Sequence, residues 1–260
     1  MKVIKIPFGG GGLGHGKGAK DAPDKIQGQL KDIVANESFV VPHFEFDSVH
    51  VDNNNIDESH QNIFNKILSL KEKAILLGGD HSISYPSFKA FSKNHPGAGI
   101  VVFDAHPDLL EHAGVKSQED WLRALITEGV VDKDKVIIIG VRNSDAIEKE
   151  FIDENNLQIY YMKKIFENKI ENVCDAVMEK IRAWPSAYLS IDIDAVDPAF
   201  APGTGYNEPG GLTSREIIYF IQRLNLLKNI KMVDIVEVDP NKDVANLTTK
   251  LAAKLMTELI

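Results

Sequence analysis

The sequence predicts an α/β fold built around a mostly parallel sheet of roughly eight strands. Short apolar segments alternate with amphipathic helical segments along the 260 residues, and this rhythm is typical of parallel strands joined by helices. Several strand segments, such as VIIIG and GIVVFD, are continuous aliphatic runs, as expected for strands covered on both faces. A closed (β/α)8 barrel has the same rhythm, so periodicity alone leaves the barrel and the open sheet as alternatives.

The predicted strands are short apolar runs bounded by polar residues or glycine. In chain order they are Lys2–Ile6, Phe44–Val49, Ala74–Leu77, Gly99–Asp104, Val136–Gly140, Gln158–Tyr161, Ala187–Asp192 and Lys231–Val238. Helical segments between and after them include PDKIQGQLKDIV, NIFNKILSLK, SREIIYFIQRL and VANLTTKLAAKLMTEL. In both architectures ligands bind at the carboxyl ends of the strands, so the residues that follow each strand are the functional candidates.

Composition and charge narrow the class of protein. A chain that is 43% hydrophobic and 26% charged can bury a core, and we expect one domain over residues 1–260. The net charge of −9 argues against a nucleic-acid or anionic-membrane partner and suits a small cationic substrate. The single cysteine, Cys174, excludes an intrachain disulfide, and no apolar run approaches the length of about 18–20 residues that spans a bilayer. We therefore expect a cytoplasmic protein.

Clusters of acidic and imidazole side chains follow three of the predicted strands. They are Asp80 and His81 in LLGGDHS, Asp104, His106 and Asp108 in VVFDAHPD, and Asp192 and Asp194 in YLSIDIDAVDP. A single aspartate at a strand end is usually a helix cap or a turn residue. Several carboxylates brought together repel one another, however, unless protons or cations neutralise them. The sequence therefore predicts a metal site whose ligands are His81, Asp104, His106, Asp108, Asp192 and Asp194.

The types of ligand narrow the choice of metal. The set is rich in oxygen, contains two imidazoles and lacks a thiolate, which disfavours structural zinc and suits Mn(II) or Fe(II). Four carboxylates and two histidines are also more than one ion needs, so we predict two ions. A pair of metal ions activates a water for attack on a carbonyl-like or phosphoryl centre. The residues alone thus predict a hydrolase and leave its substrate class open.

Six motifs in order along the chain resemble those of the ureohydrolase family, which contains arginases, agmatinases, guanidino-acid hydrolases and formimidoylglutamases. The motifs are IPFGGGG, GGDHS, FDAHPD, IGVR, SIDIDAVDPAFAPGTG and VEVDP. The resemblance implies a three-layer α/β/α sandwich with an open sheet, two Mn(II) ions per subunit and assembly into trimers or hexamers. It also implies cleavage of a guanidino C–N bond to give urea and an amine, with Glu237 pairing to the guanidinium.

The same resemblance implies how the two ions share their ligands. Asp104 and Asp192 would bridge both ions. The first ion would be held by His81, Asp104, Asp108 and Asp192, and the second by Asp104, His106, Asp192 and Asp194.

The sequence departs from the family pattern at three places near the predicted site. Relatives have a proton-shuttling histidine where this chain has Gln118, and the nearest imidazole is His112, our candidate for that role; water or another acid is the alternative. Tyr206 replaces a smaller hydroxyl residue beside the predicted guanidinium position, in GTGY. Glu111 would repel a substrate carboxylate. We therefore predict agmatine as substrate and putrescine plus urea as products.

Other functions remain open on the sequence. The chain could be an arginase or another guanidino-acid hydrolase, or a formimidoylglutamase-type amidine hydrolase that releases formamide. Gln118 also leaves room for a member that binds metal without turning over a substrate.

Overall fold

Eight strands form one open sheet in the computed structural model, which describes residues 1–15, 17–111, 114 and 116–260. The strands are β1 (Lys2–Lys5), β2 (Glu45–Ser48), β3 (Ala74–Leu77), β4 (Gly99–Phe103), β5 (Val136–Ile139), β6 (Gln158–Tyr160), β7 (Ala187–Asp192) and β8 (Ile230–Val236). Their order across the sheet is β2-β1-β3-β8-β7-β4-β5-β6, and every neighbouring pair is parallel. The predicted open parallel sheet is confirmed, and each predicted strand overlaps an observed one.

Helices cover both faces of the sheet. They are α1 (Ala22–Gln29), α2 (Ile56–Leu68), α3 (Ser84–Asn94), α4 (Trp121–Thr127), α5 (Ala146–Asn155), α6 (Met162–Asn168), α7 (Ile170–Arg182), α8 (Ser214–Asn225) and α9 (Leu247–Glu258). Side chains from α1, α6, α7, α8 and α9 share one apolar core with the sheet, and those from α2, α3, α4 and α5 share the other. The predicted three-layer α/β/α architecture is therefore confirmed.

The two cores exist because successive residues of a strand point to opposite faces of the sheet. In β4, for example, Val101 and Phe103 enter one core, whereas Ile100 and Val102 enter the other. A strand that is buried on both faces needs a continuous apolar run, which explains why these runs could be read from the sequence. None of the helices in the described part of the chain has the length and apolar character needed to cross a membrane.

The topology places β3, β8, β7 and β4 side by side at the centre of the sheet. Because all of these strands are parallel, their carboxyl ends meet along one edge, where chain segments that are far apart in sequence come together. A capping box at the start of α5 fastens a loop to this edge: Glu148 accepts a hydrogen bond from the Asp145 backbone N–H, and its other oxygen accepts one from the Leu109 backbone N–H at 2.9 Å.

Candidate metal centre

The predicted ligands converge at the carboxyl ends of the central strands. His81 opens a short 3-10 turn after β3, Asp104 directly follows β4, and Asp192 is the last residue of β7. The turn into His81 begins at Gly79, where a Cβ atom would lie 1.7 Å from the Phe8 carbonyl oxygen, so only glycine fits. All three ligand side chains are buried.

A first group of side chains surrounds the His81 imidazole. The His81 Nδ1 atom lies 2.9 Å from an oxygen of Asp108, 3.1 Å from one of Asp104 and 3.2 Å from one of Asp192. Despite these short distances, neither His81 Nδ1 nor Asp104 Oδ2 has a partner in hydrogen-bonding geometry within the described residues. Buried polar atoms without partners are costly, so this point in the structure suits a cation.

A second group of side chains adjoins the first. The His106 Nδ1 atom lies 3.1 Å from Asp194 Oδ2 and 3.5 Å from Asp104 Oδ1. Two sets of potential ligands, one with His81 and Asp192 and one with His106 and Asp194, share the Asp104 carboxylate. A shared carboxylate between two donor sets fits a pair of metal ions.

The carboxylates and imidazoles of the centre strongly perturb one another. Burial raises the pKa of Asp108 to about 7 and that of Asp192 well above its usual range, and repulsion between the carboxylates adds to both shifts. Burial alone would lower the pKa of His81, but contact with three carboxylates raises it. The carboxylates of the donor set therefore repel one another, and a bound cation would offset that repulsion. A set of oxygen and imidazole ligands suits Mn(II) or a similar divalent cation.

A buried hydrogen-bond chain orients the His81 ring. His81 Nε2 lies 2.9 Å from the Ser190 hydroxyl, which donates to Asp234 at 2.6 Å. The hydroxyl groups of Tyr188 and Ser84 donate to the other oxygen of Asp234, each at 2.6 Å. Partners of this kind fix the rotamer and tautomer of a ligating histidine. None of these supporting residues was predicted from the sequence.

Trp121 also supports the centre and was missed from the sequence. Its indole Nε1–H donates to Asp108 Oδ2 at 2.6 Å, and its ring centroid lies 4.6 Å from that of His81. A buried tryptophan needs an acceptor for its N–H, so Trp121 itself was the residue in the sequence that could have indicated such a contact. The acceptor itself could not be read from the sequence.

The centre opens into a cavity of about 320 Å³, which is the size of a small-molecule site. Its described lining is mostly polar and includes His81, His106, Asp108, Leu110, Gln118, Glu119, Asn143, Ser144, Asp145, Glu148, Asp192, Asp194, Thr204, Tyr206 and Glu237.

Glu237 is a buried residue of the wall of this cavity. Its Oε1 atom accepts a hydrogen bond from the His81 backbone N–H at 2.7 Å, and its own N–H donates to the Gly79 carbonyl at 2.8 Å. Burial and the nearby Asp80 raise the pKa of the Glu237 carboxyl. Glu237 has a φ of 60° and Asp108 a φ of 55°, values that cost energy for residues other than glycine and often occur at functional sites.

Tyr206 forms part of the cavity wall. Its hydroxyl donates to Glu119 Oε1 at 3.0 Å, which links two loops across the wall. The His15 ring stacks on the phenol with centroids 4.7 Å apart, and the His106 ring meets it edge-on at 5.4 Å. Burial, followed by the hydrogen bond to Glu119, raises the pKa of Tyr206 to about 12.

Two residues predicted from the loop after the second cluster are not placed at the cavity. Glu111 is not among the lining residues; its exposed carboxylate pairs with Arg123 at 3.1 Å. His112 lies outside the described residues. The structure therefore brings together the six predicted ligands, Glu237 and Tyr206, but not Glu111.

Known proteins are similar to this chain in sequence. A guanidinobutyrase from Pseudomonas aeruginosa is 35% identical over 204 residues, which are 76% of this chain and 62% of that protein. A formimidoylglutamase from Halalkalibacterium halodurans is 33% identical over 187 residues, which are 70% of this chain and 58% of that protein. These alignments thus cover less than two thirds of the relatives' own length.

A solved structure matches over nearly the whole chain. The proclavaminate amidino hydrolase from Streptomyces clavuligerus superposes with a TM-score of 0.91 at 26% identity, covering 99% of this chain and 89% of that one. The sequence pattern of the arginase family matches residues 1–260. The resemblance that the motifs indicated is therefore confirmed, and the chain belongs to the arginase family.

Proposed function

We propose that this protein hydrolyses a guanidino C–N bond of a small cationic guanidine, with agmatine as best substrate and putrescine plus urea as products. One observation carries the proposal: residues from two overlapping sets of His and Asp side chains line one cavity together with a buried glutamate, Glu237. The relatives are named for guanidino, amidino or formimidoyl substrates, which supports this class of reaction.

Two Mn(II) ions are the metals that we propose for the centre. The ligands would be His81, Asp104, Asp108 and Asp192 for the first ion, and Asp104, His106, Asp192 and Asp194 for the second. Such ions supply an activated water at neutral pH.

Glu237 is the group that we propose holds the guanidinium. A carboxylate accepts two parallel N–H bonds from a planar guanidinium. The Glu237 carboxylate is buried and lines the cavity. A bound cation would also offset the cost of burying that charge.

The cavity wall supports a cationic substrate tail. Beyond the metal centre it carries the carboxylates of Glu119, Asp145 and Glu148, and no lysine or arginine occurs among the described lining residues. The nearby Arg142 donates to the backbone carbonyl oxygens of four residues, Gly140, Asp194, Ala195 and Glu208. A substrate carboxylate would therefore meet several acids and no cationic partner among the described lining residues, which is unfavourable.

His112 and Glu111 differ in the roles that we propose for them. His112 stays our candidate for returning a proton to the leaving amine, a role that suits imidazole near neutral pH. Because Arg123 neutralises Glu111, we assign the cationic end of the substrate to the acids of the cavity wall and not to Glu111.

A screen of products from the Mn(II)-loaded protein tests the proposed function. Urea release would be measured with agmatine, arginine, guanidinobutyrate, guanidinopropionate and guanidine, and formamide release with formimidoylglutamate. We expect the highest kcat/KM for agmatine. A higher value for arginine or guanidinobutyrate would overturn the substrate assignment. Formamide without urea would identify an amidine hydrolase, and metal binding without any product would indicate a non-catalytic member.

A further inference from the structure

Gln118 and Thr204 are two neutral polar residues of the cavity wall whose side chains lack partners. Gln118 is 4% exposed and Thr204 is 2% exposed. Within the described residues, no hydrogen bond reaches the Oε1 and Nε2 atoms of Gln118 or the Oγ1 atom of Thr204. Both side chains line the cavity that contains Glu237. Buried polar groups are nearly always paired, so the lack of hydrogen-bond partners for these atoms needs a physical reason.

The backbone of each residue is anchored although its side chain is not. The Gln118 N–H donates to the Gly11 carbonyl at 3.1 Å, and Gly11 in turn donates to Asp80 at 2.7 Å. Thr204 forms a β-bridge with Val238, the neighbour of Glu237. The positions of both side chains are therefore fixed by main-chain contacts. Their free polar atoms are available to a ligand.

The hydrogen-bonding needs of a guanidinium match this arrangement. A monosubstituted guanidinium carries five N–H donors and no acceptor. Glu237 can accept two of these donors in a bidentate contact, which leaves three that Glu237 does not pair. The amide oxygen of Gln118 can accept one of the remaining N–H groups, and the hydroxyl oxygen of Thr204 can accept another.

We propose that Gln118 and Thr204 are substrate-binding residues that accept N–H groups of the guanidinium left free by Glu237. This inference rests on the proposed function. An amide does not ionise near neutral pH, so Gln118 binds and orients the substrate and does not act as an acid or a base. The free protein bears the cost of the unpaired atoms, and the bound substrate removes that cost.

Two nearly isosteric substitutions test the inference. Gln118→Met and Thr204→Val remove the unpaired polar atoms but keep the side-chain volume. Without substrate, we expect each change to raise the Tm by about 2–4 °C, because a desolvated polar group is lost. With agmatine, we expect each change to raise KM and to lower kcat/KM by about tenfold, because a hydrogen bond to a cation is lost. A purely structural role would not raise the Tm of the free protein and at the same time lower kcat/KM for agmatine.

Matched controls use the same substitutions at residues whose polar atoms are paired. Gln222 donates to Glu258 at 2.9 Å, and Thr257 donates to the Lys254 carbonyl at 2.7 Å. Gln222→Met and Thr257→Val should lower the Tm and leave the kinetic constants unchanged.

The possible failures can be told apart. Urea release by the wild-type protein, combined with an unchanged KM in Gln118→Met and Thr204→Val, would overturn the inference alone. A Tm lowered by these two changes, as in the controls, would show that the groups are paired in the free protein and would also overturn it. A wild-type protein that releases no urea from any guanidine would remove the proposed function and the inference with it.

Discussion

Two ligands in the candidate centre, Asp108 and His81, are held by identifiable neighbours. The Trp121 indole fixes Asp108, the Ser190 hydroxyl fixes one edge of the His81 ring, and the Glu237 carboxylate accepts the His81 backbone N–H. Such contacts set ligand orientation before any ion arrives, and they commonly change metal affinity by one to two orders of magnitude when they are removed. The supporting residues are therefore as testable as the ligands.

The two donor sets share one carboxylate, and this predicts different effects for two similar substitutions. Asp194→Asn removes an oxygen donor from the His106 set only, so we expect loss of about one metal equivalent and a fall in urea release of at least about 100-fold. Asp104→Asn affects both sets and should cost both equivalents. Metal content and Mn(II) titration calorimetry measure these losses. Asp153→Asn on the exposed face of α5 is the control. Full activity with two bound ions in Asp194→Asn would contradict the dinuclear centre.

The indole of Trp121 should influence metal affinity. In Trp121→Phe the aromatic volume largely remains, but the donor to Asp108 is lost, so we expect Mn(II) affinity to fall by about 10- to 100-fold. Calorimetric titration measures the change. Trp184→Phe alters a buried tryptophan on the other core and should leave affinity unchanged. Equal affinities for all three proteins would show that the Asp108 contact does not matter.

The ligands could be predicted from the sequence because they lie at, or a few residues after, the ends of strands that the sequence also predicts. Their supporting residues could not be. Ser190 and Asp234 occur within apolar strand segments, and they are 44 positions apart along the chain. Only the register between β7 and β8 brings them into contact. The chemistry of a site can thus be predicted from local patterns, whereas its support depends on tertiary pairing.

Among the elements, α2 contains a partly buried ionisable group that is not one of the predicted ligands. His60 on this helix packs against the rings of Phe8 and Tyr85, and its Nε2 lies 3.5 Å from the Ser82 hydroxyl. Burial lowers the pKa of His60 to about 4, opposed by the charge of Asp57 and aided by that of Lys116. The folded protein therefore holds this imidazole neutral.

This neutral histidine predicts acid sensitivity in α2. The unfolded chain protonates His60 near pH 6.5 and the folded protein only near pH 4, so its favourable contribution is complete above pH 6.5 and is lost as the pH falls towards 4. Between pH 7 and pH 5 we expect a loss of about 2 kcal/mol. Denaturant unfolding at both pH values should show a smaller loss in His60→Phe than in the wild type. The exposed His43→Phe should behave as the wild type does, and an equal loss in all three proteins would refute the prediction.

Strand and helix positions could be predicted more closely than loop positions. β3 and β7 begin and end where the sequence predicts, because continuous apolar runs have sharp polar boundaries. The loop after Asp108 has no such periodicity. In this loop, the position of Glu111 depends on its ion pair with Arg123. The position of Gln118, which lines the cavity, depends on a contact with the glycine-rich N-terminal segment.

For the whole molecule, the charge of the chain bears on substrate capture. The net charge is −9, and part of the negative charge lies on carboxylates of the cavity wall. Such a field attracts cations, and salt weakens that attraction. That the 260 residues form one domain, and that the chains assemble into trimers or hexamers, stay predictions from the sequence.

Ionic strength should therefore affect doubly charged substrates most. We expect kcat/KM for agmatine to fall by about two- to fivefold between 10 and 200 mM NaCl, because the screening length shortens from about 30 Å to about 7 Å. Arginine, with one net positive charge, provides the comparison in steady-state assays and should show a smaller change. Identical salt dependence for the two substrates would exclude steering by the net charge.

The position of β8 has a consequence for synthesis. This strand is the last of the eight along the chain, yet it lies between β3 and β7 and joins the two halves of the sheet. A nascent chain that ends before Ile230 can build only two partial sheets, each with an unpaired, aggregation-prone edge. His81 belongs to one half and Asp104 to the other. The His81 set of ligands is therefore complete only after the final strand has joined the two halves, whereas Asp104, His106 and Asp194 all lie on one half.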